Sequence, residues 1–375
     1  MGRKLLVEEQ IFQEQGRGVL IGHYASNWVA IGAVKTPQEP EGSPLGGDQW
    51  SVEHSQQVEE ALPGGLCAIG VFSLSRIESD ARLIAFARGA CRSVPEPVII
   101  SRTSQGSTRF VCVGENGVMT RIDQQTISNV LDTFVRVNAT TRVSMIADSF
   151  DALIDVVSKA YEDSPAALMD GKKIFSGIST TWTNSDLRLL LPSKSVGTRR
   201  NVSNEFCNVN GVVALNCVVA NACSADDLTK ALKEDLRRSL ITRLDRTVSE
   251  ESAKDEQSGY LAARCTGPLD GLDVPISEYL SPYDELEDVA DRIEFLFSRR
   301  VANGGMKMME RRELAKFTAE GAADGAERSV RSQNPHLPSK VSSSAPRAGL
   351  STPLLAVSLV LIVVGVAIAY VISRS

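Results

Sequence analysis

Apolar and β-branched runs divide the first hundred or so positions into alternating strands and helices. Gly18 to Tyr24 and Trp28 to Val34 are two such runs, separated by Ala25-Ser26-Asn27 in the manner of a β-hairpin. A Pro- and Gly-rich loop follows from Thr36 to Gly47. Trp50, His54, Val58 and Ala61/Leu62 then recur at helical spacing, and Pro63-Gly64-Gly65 stops that helix. Leu66 to Leu74 is continuously apolar, the pattern of a central strand covered on both faces. Ile77 to Cys91 reads as a second helix, and Val98 to Ile100 with Phe110 to Val113 continue the sheet.

A second unit begins near Asn201. Gly211 to Ala220 is a strand, and Ser224 caps a helix whose first turn places Asp226 and Asp227 at the positive end of the helix dipole. Leu228, Leu232, Leu236, Leu240 and Leu244 recur every fourth residue as its buried stripe, with Lys230, Lys233, Arg237 and Arg238 expected on a solvated flank. Ser281-Pro282-Tyr283-Asp284 resembles a capping box with proline at the first helical position, ahead of Leu286, Val289, Ile293 and Leu296.

The longest apolar run lies near the C-terminus. From Leu354 to Ile372 only Ser358 and Tyr370 are polar, and no charge interrupts the run. As a helix it would rise about 28 Å, matching a bilayer core of roughly 30 Å. Leu354, Leu355, Val357, Leu359, Leu361, Ile362, Val364, Ile368, Tyr370 and Ile372 are its anchoring side chains. A span so late in the chain would be inserted after synthesis and leave the body facing the cytosol. Lys340 and Arg347 before it and Arg374 after it agree with that orientation. Gly321 to Gly349, rich in Ser, Ala, Gly and Pro, reads as a disordered tether, with a helix through Met306 to Glu320 as the other reading of its approach. The expected organisation is therefore α/β (α+β): a mixed-sheet domain over 1–200, a second α/β unit over 201–305, a tether over 306–349 and a transmembrane helix over 350–375.

Composition narrows the function. A 375-residue chain with 43% hydrophobic residues can fill two cores. Its net charge of -6, with basic residues scattered, gives no footprint for nucleic acid. Seven cysteines without a C-x-x-C pair suit reduced, buried thiols. The tripeptides at Asn138 and Asn201 match the glycosylation sequon, which a cytosol-facing body would leave unused. Met1-Gly2-Arg3-Lys4-Leu5-Leu6-Val7-Glu8-Glu9 turns acidic too early for a signal peptide.

Catalytic patterns are sparse. Three histidines, His23, His54 and His336, form no H-E-x-x-H or His-x-His pair, and no G-x-S-x-G, P-loop or G-x-G-x-x-G occurs. Gly64-Gly65 after Pro63 could serve as an oxyanion loop, though a helix stop before a buried strand explains both glycines. No metal, cofactor or catalytic residue is assigned.

Val7-Glu8-Glu9, Gly18-Val19-Leu20-Ile21-Gly22, Ala33-Val34-Lys35-Thr36-Pro37, Trp50-Ser51-Val52-Glu53-His54-Ser55-Gln56-Gln57-Val58 and Leu62-Pro63-Gly64-Gly65-Leu66-Cys67-Ala68-Ile69-Gly70-Val71-Phe72 together resemble the odorant-response-abnormal-four (ODR-four-like) family. The resemblance returns at Gly211 to Leu244, near Tyr279 to Phe297 and in the terminal span, and is loose from Gly114 to Arg200. It implies a non-enzymatic adaptor of the endoplasmic reticulum that assists maturation or delivery of seven-helix receptors and pairs with the Ufm-specific cysteine protease. It also implies an N-terminal domain similar to the MPN fold of JAB-type metalloproteases, degenerate at its metal site. Where active MPN enzymes carry His-x-His, this chain has Phe72-Ser73-Leu74-Ser75. Trp50, Glu53, His54, Pro63, Gly64, Gly65 and Phe72 form the candidate protein-binding or structural motif. The alternatives are a divergent MPN-type isopeptidase, which stoichiometric zinc would favour, and a tail-anchored tethering protein, for which heptads beside the span are missing.

Overall fold

The computed structural model describes residues 3–8, 11, 16–39, 46–147, 150–177, 186–191, 194–195, 206–251, 258–281, 284–302, 305–310 and 315–320. They belong to a unit spanning Met1–Pro335. The expected transmembrane helix, the tether from Gly321 to Gly349, the sequon that starts at Asn201, and His336 lie outside the described residues. Among the described residues no helix is long and apolar enough to cross a membrane.

The first sheet is built from β1 (Lys4–Val7), β2 (Arg17–Tyr24), β3 (Trp28–Lys35), β4 (Cys67–Ser73), β5 (Val98–Arg102), β6 (Thr108–Val113), β7 (Met119–Arg121) and β8 (Asp123–Thr126), with α1 (Gly47–Ala61) before β4 and α2 (Asp80–Ala90) after it. Its strand order is β7-β6-β5-β4-β2-β3-β1-β8. The hairpin read from the sequence is β2 against β3. Strand β4 is buried at every position, because it lies between β2 and β5 inside the apolar core. Helix α2 begins later than Ile77: Ser79 accepts a hydrogen bond from the Arg82 amide and starts it at Asp80.

The second sheet contains β9 (Phe134–Ala147), β10 (Ala167–Asp170), β11 (Lys173–Phe175), β12 (Leu187–Leu190), β13 (Lys194–Ser195), β14 (Phe206–Ala220), β15 (Ser258–Tyr260) and, far along the chain, β19 (Ala315–Glu320). Its order is β11-β10-β12-β9-β14-β19-β15, with β13 also on β9. α3 (Phe150–Asp155) and α4 (Ala225–Glu251) pack with it, and the Leu228 to Leu244 stripe of α4 is buried there as expected. A small third sheet, β16 (Ala263–Leu269), β17 (Leu272–Leu280) and β18 (Lys307–Met308), joins α5 (Leu286–Phe297) and the first core, with Leu272 lying over Gly32 of β3.

Four expectations change. The sheets do not divide at residue 200: β9 and β14 pair from Cys207↔Ala147 to Ala220↔Phe134, so the two sides of that boundary share one sheet. Residues 306–310 and 315–320 are neither tether nor helix. Lys307–Met308 pairs with β16, and Ala315–Glu320 pairs with β14 from Phe206↔Glu320 to Gly211↔Ala315. A free strand edge on β14 overrides a weak local preference. The α5 cap is Glu285 with Asp288, because the helix begins at Leu286; Asp284 still accepts from the Ser281 amide at 3.4 Å, and from the Arg292 guanidinium at 2.7 Å, but ahead of the first turn. Lastly, the basic flank of α4 is partly internal: Arg238 is buried, and the Lys233 ammonium donates to the carbonyls of Glu162 and Ser164.

Candidate functional site

Pro63-Gly64-Gly65 occupies the seam between the two cores. The Gly64 amide donates to the Asn216 carbonyl at 2.9 Å, and the Val218 amide donates back to the Gly64 carbonyl at 2.8 Å, so this turn binds β14 as a short parallel bridge. A side chain at Gly64 would overlap the Ala231 carbonyl oxygen on α4, and Gly65 holds φ +82° against Val218. The glycines are there because two backbones approach where a Cβ would stand. The Gly64 amide also points to the Asp235 carboxylate at 3.3 Å, which rules out an oxyanion hole at that group: a negative charge already sits in front of it.

Asp235 organises a buried polar cluster beneath this seam. Its carboxylate accepts from the Asn216 amide at 2.9 Å and from the Arg264 guanidinium, whose Nη2 lies 2.7 Å from Oδ1. Arg264 on β16 also donates to Ser277 Oγ at 3.0 Å and to the Ala214 carbonyl. Burial works against its charge, but the Asp235 carboxylate more than offsets this and holds the guanidinium charged. Beside it, Glu310 pairs with Arg243 and accepts from the amides of Ala214 and Arg264 at 2.7 and 3.0 Å. Arg238 extends the cluster upward by donating to the Leu66 carbonyl at 2.9 Å and pairing with Glu59 and Glu234. Helix α1, β4, β14, α4, β16 and the segment after β18 are thereby tied by charge-assisted bonds. Nothing in the local sequence marks Asp235, Arg264 or Glu310 as partners, since each reads as an ordinary surface charge.

On α1, Trp50 donates its indole N–H to the Pro37 carbonyl at 3.0 Å, and its ring lies 6.3 Å from that of His54. Glu53 is half-buried on the same helix. His54 is fully enclosed, with Nε2 2.7 Å from the Leu296 carbonyl, so Nε2 carries a proton and donates it there. Burial lowers its pKa from 6.5 to about 4. The unfolded chain therefore takes up a proton near pH 6.5 that the folded chain refuses until about pH 4. Stability is complete above pH 6.5 and is lost as pH falls through that window, by about 2 kcal/mol on reaching about pH 5. Urea midpoints above and within the window should separate for the wild type and converge for His54→Gln, which keeps a donor to Leu296 and cannot charge. His23 lies elsewhere, with Nδ1 2.9 Å from the Gly65 carbonyl and its ring edge-on to Phe134, so the two imidazoles do not form a pair of ligands.

The C-terminal end of β4 has a different character from a hydrolytic centre. Phe72 is buried over Gly18, where no side chain intervenes. Ser73 donates to Glu78 at 2.7 Å, and the Glu78 carboxylate, 2% exposed, lies within 3.9 Å of Arg17 and Arg82 and 3.2 Å of Arg76. Asp48 on α1 pairs with both Arg17 and Arg82, and hydrogen bonding from Arg82, with Arg17 adding to it, lowers its pKa to about 2. Arg17 also covers the Phe86 ring at 4.1 Å. Two carboxylates alternate with two guanidinium groups in a ring that clamps β2, α1 and α2. Ser73 has no imidazole beside it, and its hydroxyl is committed to Glu78. Among the described residues no three His, Cys, Asp or Glu side chains stand together in a metal-holding arrangement.

Of the candidate motif, then, Trp50, His54 and Phe72 are core, Pro63, Gly64 and Gly65 form the seam, and only Glu53 and Gly65 are partly open to solvent. The anchoring residues Leu354, Leu355, Val357, Leu359, Leu361, Ile362, Val364, Ile368, Tyr370 and Ile372 lie outside the described residues.

Residues 125–307 match the family model described as ODR4-like, Odorant response abnormal 4-like. That span runs from the end of β8 through the seam strand β14, α4 and the Arg264 strand to the start of β18. A mouse protein, "Protein odr-4 homolog", is 21% identical over 415 residues, covering 91% of this chain and 93% of the relative. The human "Protein odr-4 homolog" is 32% identical over 99 residues, 21% of this chain and 22% of the relative. Among solved structures, one titled "Crystal structure of UfSP from C.elegans" aligns with 11% identity and a TM-score of 0.46, covering 80% of this chain and 57% of that chain.

Proposed function

We propose, from the match to the odorant-response-abnormal-4-like family, that the chain is a non-enzymatic adaptor of that family, held on the endoplasmic-reticulum membrane by Leu354 to Ile372 with its body in the cytosol. The observation that carries this reading is the family match over residues 125–307, joined to a relative that aligns over 91% of the chain. In this reading the body assists the maturation or trafficking of seven-helix receptors and recruits the Ufm-specific cysteine protease to the membrane. The first sheet is a degenerate MPN-like domain. Its support is the element order of hairpin, α1, β4, α2 and β5, with Ser73, Glu78 and the Arg17–Asp48–Arg82 ring at the end of β4.

Full-length protein carrying an affinity tag, solubilised from cell membranes, tests partner and location together. The expected result is co-purification of the Ufm-specific protease from the microsomal fraction. Recovery of the chain in the soluble fraction sinks the anchoring, and recovery from microsomes without the protease sinks the recruitment. Stoichiometric zinc in the purified protein would instead favour an MPN-type isopeptidase.

A further inference from the structure

The second sheet covers itself with helices on one face and leaves part of the other open. Along β9, Val137, Ala139, Thr141, Val143, Met145 and Ala147 turn inward, while Arg142 and Ile146 turn outward. On the outward face Leu190 stands one step beyond the Leu189–Thr141 pair, level with Arg142, which in turn pairs in register with Val212 of β14. A second row runs from Ile174 through Met169 to Arg188. Ile174 is 64% exposed, Ile146 44%, Leu190 39% and Val212 38%. Arg142 and Arg188 are exposed and make no ion pair among the described residues, and Asp186 precedes β12 outside its paired positions. A chain of net charge -6 thus presents here a shallow face of aliphatic side chains and guanidinium groups.

We propose that this face rests against a bilayer surface bearing anionic headgroups. The inference rests on the reading of Leu354 to Ile372 as a membrane anchor. Three observations favour lipid over a protein strand or groove-filling helix. Backbone groups of β9, β12 and β10 are already paired on both sides, so across the middle of the face strand addition has no edge to use, and the three-residue β11 at its margin is a short one. Isolated arginines among aliphatic residues are the composition of an interfacial contact, in which the alkyl stems lie on apolar surface and the charges reach phosphate or carboxylate headgroups. Finally, the chain leaves for the apolar run from this same sheet: β19 ends at Glu320, and the run opens at Leu354, past a Ser-, Ala- and Gly-rich segment. A coil of that length would span about 30 Å, short enough to make weak surface contacts effectively intramolecular.

The test uses the full chain inserted into vesicles of phosphatidylcholine alone or with roughly a third phosphatidylserine, a composition that gives a negative surface potential. A fluorophore on Ile174→Cys reports proximity to nitroxide-labelled headgroups, with the unsubstituted chain as the labelling background. The expected result is quenching at least about threefold greater in the anionic vesicles, abolished by Arg142→Glu with Arg188→Glu and reduced by the milder Arg142→Gln with Arg188→Gln. Unchanged circular dichroism in both double variants ties that loss to the surface. Equal quenching in the two compositions, quenching indifferent to charge reversal, or none at all would overturn the inference while leaving the anchor in place. Shielding of residue 174 that is seen in crude cell membranes and not in pure lipid would mark a protein as occupant and overturn it likewise. A chain that fails to float with either vesicle overturns the anchor itself.

Discussion

Gly64→Ala lowers the stability of the folded body by about 3 to 5 kcal/mol, read as a shift in the urea midpoint at an unchanged slope. The added methyl meets the Ala231 carbonyl oxygen and comes within 2.8 Å of Asp235 Cβ, both fixed in the middle of α4. No rotamer change relieves a clash with backbone. Either α4 lifts from the seam, exposing the Leu228 to Leu244 stripe, or Gly64 withdraws and forfeits the reciprocal bonds to Asn216 and Val218. Gly47→Ala is the matched control. It lies in the first turn of α1, its methyl would have Glu39 at 4.0 Å as its neighbour, and it should be neutral or stabilising by up to about 1 kcal/mol. A Gly64→Ala protein as stable as that control would remove the seam from the account of this fold.

Arg264→Met costs about 3 to 5 kcal/mol, because it leaves the Asp235 carboxylate enclosed without its counter-charge. Asp235→Asn costs a comparable amount for the opposite reason: the amide oxygen can still accept from the Asn216 or Gly64 amide, but Arg264 is left charged in the core. Combined, the two substitutions remove both stranded charges while keeping that acceptor. The double variant should therefore be destabilised by less than the sum of the singles, with a coupling of roughly 2 kcal/mol or more. Additive effects within about 0.5 kcal/mol would mean that the two groups do not act as a pair. The measurement is equilibrium unfolding of the four proteins of the cycle in one buffer.

How much of this could be read beforehand depends on how local each signal is. The β2–β3 hairpin, α1, β4, α2, β14 and α4 were legible because their apolar spacing is set within one element. Strand β9 was not. Its inward residues include Ala139, Thr141 and Ala147, too small or too polar to stand out, while Val135 and Ile146 dilute the alternation. Strand β19, Ala-Lys-Phe-Thr-Ala-Glu, carries almost no strand signal and is ordered by the β14 edge it meets. The Leu stripe of α4 was visible, but the width of its buried face was not. Asp235, Arg238 and Arg243 become internal only through partners on other elements, such as Arg264 for Asp235, Leu66 for Arg238 and Glu310 for Arg243. The candidate motif was recognisable as a block, yet its roles were not: a helix stop predicts the Gly64-Gly65 turn without predicting the strand that docks on it.

Because β19 enters between β14 and β15, the side of the second sheet beyond β14 is completed by residues that follow the whole family-matched span. Until residue 320 has left the ribosome, β14 carries an open hydrogen-bonding edge from Phe206 to Gly211, and a polypeptide cut between Glu310 and Ala315 keeps that edge for good. Such a fragment would contain both glycines of the seam, every member of the Asp235 cluster and all of the family-matched span. It would nonetheless be prone to pair with copies of itself, so a premature stop a few codons ahead of Ala315 would produce an aggregating chain rather than a merely shortened one.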